Sequence, residues 1–131
     1  MLKVESKIVT IHRSAEDIYA LLSKFENFLP FLPQEQIHDL QIEEDHCSFT
    51  VEGQKMELVI LEKIPFHTIK YGSGENSPFK FLFWTQLKEI EPFHTKIKLT
   101  IHLDVPLMVQ PFIKGKLEKA LNSMADRFSA M

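Results

Sequence analysis

At 131 residues the chain has room for one domain with a substantial core and too little for two. An apolar share of 44% and a charged share of 25% describe a globular protein that lives in water. A formal charge of -3 argues against a nucleic-acid surface, which needs a concentrated excess of Lys and Arg.

The first element, residues 3–12 ("KVESKIVTIH"), is rich in β-branched residues and predicts a strand. The opening "MLKVESKIVTIHR" lacks the apolar core of a signal peptide, and no apolar run approaches the length of a membrane span. The expectation is a cytoplasmic protein with a single domain over residues 1–131. Ser14 is placed to cap a helix from Ala15, with Asp17 three residues on to complete a capping box. Ile18, Leu21, Leu22 and Phe25 recur at helical spacing, with Tyr19 beside them. Pro30 and Pro33 in "KFENFLPFLP" stop regular helix, so two short consecutive helices are expected.

A train of strands follows near 36–44, 47–52, 55–63, 67–73, 79–90 and 94–105. The connections "EEDH", "EGQ", "IPF", "GSGENSP" and "EPF" carry turn chemistry, and their shortness favours an antiparallel meander. Between Glu35 and Glu62 the chain is acidic, with Lys55 the single basic residue, and would repel phosphate. In the last strand Thr95, Ile97, Leu99, Ile101, Leu103 and Val105 share one face, and His94, Lys96, Lys98, Thr100, His102 and Asp104 share the other. Met56, Leu58 and Ile60 likewise oppose Lys55, Glu57 and Lys63, and Cys47, Phe49 and Val51 oppose Ser48, Thr50 and Glu52. "FKFLFWTQL" breaks this alternation. Phe79, Phe81, Phe83 and Leu87 take one side, and Leu82 and Trp84 take the other.

The apolar face needs a cover, and the C-terminal segment supplies one. Pro111 suits a first helical position, and Ile113, Leu117, Ala120, Leu121, Met124 and Phe128 form one stripe. A helix from about Pro111 to Ala130 would be roughly 30 Å long, enough to lie across the whole sheet. Lys114, Lys116 and Lys119 near its start could touch an acidic partner or a membrane surface, although the stripe itself is committed to the core.

Sites of chemistry are sparse. The six histidines lack metal-ligand spacing, so no metal is expected, and His102 with Asp104 is the nearest local set. Cys47 has no histidine placed to activate it and suits a small buried hydrophobe. Gly72 and Gly74 precede no helix and read as turn glycines, not a phosphate cradle. No catalytic residue and no cofactor is assigned.

The stretches "VESKIVTIHRSAEDIYALLSKFENF" and "IKLTIHLDVPLMVQPFIKGKLEKALNSMADRF", with the order of elements between them, resemble the START-like (SRPBCC) superfamily. That group includes polyketide cyclases, the birch-pollen allergen class and coenzyme Q-binding proteins. The match rests on Glu16, Asp17, Ile18, Tyr19, Leu21, Leu22 and Ser23, which follow the family's first-helix pattern. The resemblance implies an α+β helix-grip fold: a curved, seven-stranded antiparallel sheet around a long C-terminal helix, with an apolar cavity between them. Numbering the expected strands one to seven, the sheet order would be 2-3-4-5-6-7-1.

On that fold Phe25, Phe49, Leu58, Phe81, Phe83, Ile97, Leu99, Leu117, Leu121 and Met124 would form the walls of a ligand site. Tyr71 and Thr85 would orient a guest, and Tyr19 and His38 are further inward polar candidates. The partner expected is an apolar small molecule such as a lipid, an isoprenoid or a polycyclic metabolite. Two alternatives remain open: a protein-interaction module with a filled core, like the co-chaperone members, and a cyclase- or aromatase-type enzyme. Leu82 and Trp84 on the outer face offer a possible surface for a protein partner or a second copy, unless stems such as Lys70 or Lys98 cover the ring.

Overall fold

The computed structural model describes residues 1–28, 30, 37–51, 53–75, 77 and 79–130. Pro33, Glu35, Gln36, Glu52 and Pro78, which figure in the expectations above, lie outside the described residues.

Helix α1 (Ala15–Leu22) and the single turn α2 (Phe25–Phe28) follow strands β1 (Leu2–Glu5) and β2 (Val9–Ile11). The meander comprises β3 (Ile37–Ile42), β4 (His46–Val51), β5 (Gln54–Ile64), β6 (Thr68–Ser73), β7 (Lys80–Glu91) and β8 (His94–Asp104), and α3 (Gln110–Ser129) closes the chain. The strands pair in the order β1-β8-β7-β6-β5-β4-β3, all antiparallel, with β2 also on β8. This is the helix-grip arrangement and the expected strand order.

The expected first strand is two. Ser6 donates its N–H to Leu99 O at 2.8 Å, and its Oγ accepts from Leu99 N at 2.9 Å, so a hydroxyl stands in for the backbone carbonyl of the ladder. The backbone thus leaves the pleat at Ser6 and returns at Val9. Within the break, Lys7 N–H donates to Asn122 Oδ1 at 2.7 Å and Lys7 Nζ meets Asp126 at 2.6 Å, tying the sheet edge to α3.

Ser14 caps α1 as expected, its Oγ accepting from Asp17 N at 3.1 Å. The box does not close. The Asp17 carboxylate instead takes Arg13 Nη1 at 3.3 Å. The hairpins β5–β6 and β7–β8 both turn on Pro-Phe-His-Thr, with Phe66 and Phe93 each at φ 64°, a left-handed conformation rare for a bulky residue.

Helix α3 packs mainly on β1, β2 and β8, at one side of the sheet and not across all of it. Its buried stripe is Leu121, Met124, Ala125 and Phe128, whereas Ile113 and Leu117 are half-buried. Ala120, expected on the stripe, is exposed, and Ala125 takes that place. Glu57 corrects a second expectation: it sits on the outer face but is buried. Its carboxylate meets His46 Nε2 at 3.1 Å, and the segment after β6 folds over it, with Gly74 N donating to Glu57 O at 3.1 Å. A Cβ at Gly74 would stand 1.6 Å from Glu57 Oε1, so a larger residue there would have to displace the Glu57 side chain.

Candidate functional site

The concave face of the sheet, closed by α1, α2 and α3, gathers every side chain expected to line a ligand site. Phe25, Phe49, Leu58, Tyr71, Phe83, Ile97, Leu99, Leu121 and Met124 belong to one buried cluster, with Phe81 and Leu117 half-buried against it. Thr85 is fully buried beside them. Cross-strand register explains the gathering. Tyr71 pairs with Phe83 and with Ile60, Thr85 pairs with Leu99, and Cys47 pairs with Leu58, so alternate positions of β4 to β8 point to the same side. Phe79 falls just outside β7 and is exposed, which removes it from that row. Tyr19 is half-buried against the edge of the Phe66 ring, and His38 is exposed, so neither projects into the chamber.

This buried core is tightly closed at one end and looser at the other. Ile97, Leu99, Thr95 and Thr85 have no exposed surface, and Leu22, Ile18 and Phe128 close over this end with none either. Toward the other end of the same strands Phe83, Leu103 and Val105 retain 7–8% exposure, and Phe81 is half-buried. The half-buried Ile113 and Leu117 belong to the first half of α3. Rings fill the middle, with Phe25 and Phe83 each tilted against Tyr71 at centroid distances of 5.8 and 5.6 Å.

Two hydroxyls interrupt this apolar surface. Tyr71 donates its O–H to Leu22 O at 3.3 Å, one of the carbonyls left over at the end of α1. Thr85 Oγ1 is buried and has no hydrogen-bond partner. Burial raises the Tyr71 phenol above its ordinary range, opposed by the neighbouring Thr85 hydroxyl, although no bond of good geometry joins the two. Cys47, also in this layer, is pushed up to about 12 by burial, with the Glu57 carboxylate adding to the rise and the Leu58 backbone opposing it. Both groups are therefore neutral near pH 7. Among the described residues no three His, Cys, Asp or Glu side chains converge as a metal site would need, and no helix is long and apolar enough to cross a membrane.

The outer face explains the doubly apolar strand. Leu82 and Trp84 do point outward, and both are half-buried. Lys70 Nζ lies 5.7 Å from the centre of the Trp84 ring, and the His102 ring stands edge-on at 4.5 Å. Lys98 turns away to Glu5 at 3.5 Å. Beside them a cleft of about 470 Å³ opens, where Leu61 lies over Gly72, lined by Leu61, Leu82, His102 and Met1 among others. Burial, with the charge of Lys3 second, holds His102 below its ordinary value of 6.5, against a smaller opposing pull from Glu5. Trp84 is the single tryptophan, so its emission reports this contact. As pH falls, an imidazolium forms at the ring and quenches it. The midpoint is expected below 6.5, because the folded protein favours neutral His102, and His102→Gln is expected to flatten the profile.

Burial of Glu57 and the unpaired state of Thr85 are the features of this region that alternation alone does not reveal. Gly74 and Ser77 bond the Glu57 backbone, and Tyr71 donates its proton to Leu22; both depend on contacts distant in sequence.

No family model matches the chain, and no curated protein matches it in sequence. Solved structures match its fold over nearly its whole length. A solution NMR structure from Thermobifida fusca superposes with a TM-score of 0.70 at 13% identity, covering 99% of this chain and 95% of that one. A START superfamily protein from Mycobacterium smegmatis gives 0.68 at 18% identity, covering 98% and 97%. Norcoclaurine synthase from Thalictrum flavum gives 0.76 at 16% identity, covering 98% and 84%. At such identities the likeness is one of fold: the helix-grip architecture of START-like and Bet v 1-like proteins.

Proposed function

We propose that the protein holds an apolar small molecule with one polar end, such as a lipid, an isoprenoid or a polycyclic metabolite, between its sheet and α3. The observation that carries this reading is Thr85: a buried hydroxyl without a partner in an otherwise apolar chamber. Such a group is rare, because leaving it unmade costs about 1–3 kcal/mol, and a guest's polar atom would satisfy it. The looser end of the chamber, beside the first half of α3, supplies the way in. Binding is favoured over catalysis because the ionisable side chains of this layer, Tyr71 and Cys47, are both held neutral and poorly suited to moving protons. The same reading assigns the protein to the cytoplasm, where Cys47 stays reduced.

Native mass spectrometry of freshly purified protein is expected to show a bound apolar species that organic extraction releases. A protein of bare polypeptide mass that also fails to bind cis-parinaric acid would overturn the reading.

A second reading has its own support. Phe25, Tyr71 and Phe128 are almost completely buried, and a core filled this densely would leave the protein to act through its surface, with the Leu82–Trp84 patch as the contact for a partner or a second copy. Failure of the extraction together with a dimer that Trp84→Ala dissolves would favour it.

A further inference from the structure

We infer that the connection between β8 and α3 is a docking element that seats the protein on an anionic lipid bilayer. Leu107, Met108 and Phe112 are 80%, 85% and 78% exposed, and Val109 between them is exposed as well. Large apolar side chains placed this densely and this openly are not surface scatter. They form a patch, and a patch of that kind marks a contact. None of them belongs to the buried stripe of α3, which begins at Leu121.

The charges around the patch select the contact. Val109 caps α3 without a side-chain hydrogen bond, and the first turn contains no acid, so the positive end of the helix dipole is unopposed. Lys114 and Lys116 follow on the first turns and are exposed. The antiparallel register brings Lys80, at the start of β7, opposite Asp104 at the end of β8, with the exposed Phe79 just before it. Lysines therefore outnumber Glu75 and Asp104 at this end of the sheet. The opposite end holds more acids than cations: Glu43, Glu44 and Asp45 sit at the β3–β4 hairpin and Glu89 and Glu91 close β7, against Lys63, Lys88 and Lys96. A chain of net charge -3 whose apolar tip is flanked by Lys80, Lys114 and Lys116 presents that tip, and not its acidic hairpins, to a negative surface. Apolar side chains that enter the headgroup boundary beside lysines that stay with the lipid phosphates are the chemistry of interfacial binding.

The inference does not rest on a guest in the chamber. It does place the looser end of the chamber against the membrane, because Leu103 and Val105 run directly into the docking element.

Co-sedimentation with vesicles of phosphatidylcholine, with and without about 30% phosphatidylglycerol, tests it. Binding is expected to the anionic vesicles and to fall steeply in high salt. Each lysine near such a surface is worth about fivefold in affinity, so Lys114→Glu with Lys116→Glu is expected to lower binding by more than tenfold. Met108→Ser with Phe112→Ser is expected to abolish it while leaving the unfolding midpoint unchanged, since both residues are exposed. The inference is overturned by absent vesicle binding, by equal binding to neutral vesicles, or by a serine double variant that binds as well as the parent. A dimer that the serine variant dissolves, with no vesicle binding, would assign the patch to a second copy and overturn it too. Parinaric acid binding, measured on the same variants, is expected to persist and separates this outcome from that of the chamber.

Discussion

Phe128→Ala is expected to lower stability by about 3–5 kcal/mol, and Leu117→Ala, three turns earlier on the same helix, by no more than about 1.5 kcal/mol. Phe128 has no exposed surface and closes the tight end of the core, where Ile11, Ile18 and Ile97 also have none. Truncating it leaves a cavity in a region too well packed to collapse. Leu117 is half-buried, as is Ile113 one turn before it, so truncation removes less buried surface. The two costs together define how α3 is held. Its second half is the anchor, reinforced by Asn122 and Asp126 on Lys7, and its first half is only leaned on. Urea unfolding of both variants measures this. Equal costs would mean a helix gripped uniformly along its length, and would remove the entrance that the proposed function uses.

That gradient also marks the limit of what the amino-acid pattern discloses. The alternation of β8 and the stripe of α3 are one-dimensional signals, and they place their residues on the correct face with the exception of Ala120. The sheet order follows from short connections. What the pattern cannot convey is where two elements approach closely. The stripe runs from Ile113 to Phe128 without a change in character, yet burial deepens only from Leu121, because α3 rests mainly on β1, β2 and β8. Ser6 looks like any polar residue in a strand until Leu99 offers it both a donor and an acceptor. Glu57 occupies an outward position and would be solvated if Gly74 and Ser77 did not fold over it from beyond β6. Thr85 was legible as an inward polar residue. Its unpaired state was not, since that depends on Tyr71 directing its proton to Leu22.

Thr85→Val is expected to raise stability and weaken ligand binding at once. Valine has nearly the shape of threonine, so packing against Leu99 and Tyr71 is preserved, while the buried hydroxyl that lacks a partner disappears. Removing an unmade hydrogen-bonding group returns part of its desolvation penalty, about 1 kcal/mol, seen as an unfolding midpoint a few degrees higher. A guest whose polar atom bonds Thr85 loses that bond in the variant, and affinity for cis-parinaric acid is expected to fall about three- to tenfold. The opposite signs matter. A hydroxyl kept only for packing would give a stability change with unaltered affinity, and a hydroxyl bonded to Tyr71 in the free protein would give a loss of stability. Tyr71→Phe completes the comparison: it frees Leu22 O, which lies at the end of α1, and is expected to cost about 1 kcal/mol without affecting a ligand that is held by Thr85. A protein that keeps a destabilising hydroxyl in its core, and binds less well without it, uses that hydroxyl for its guest.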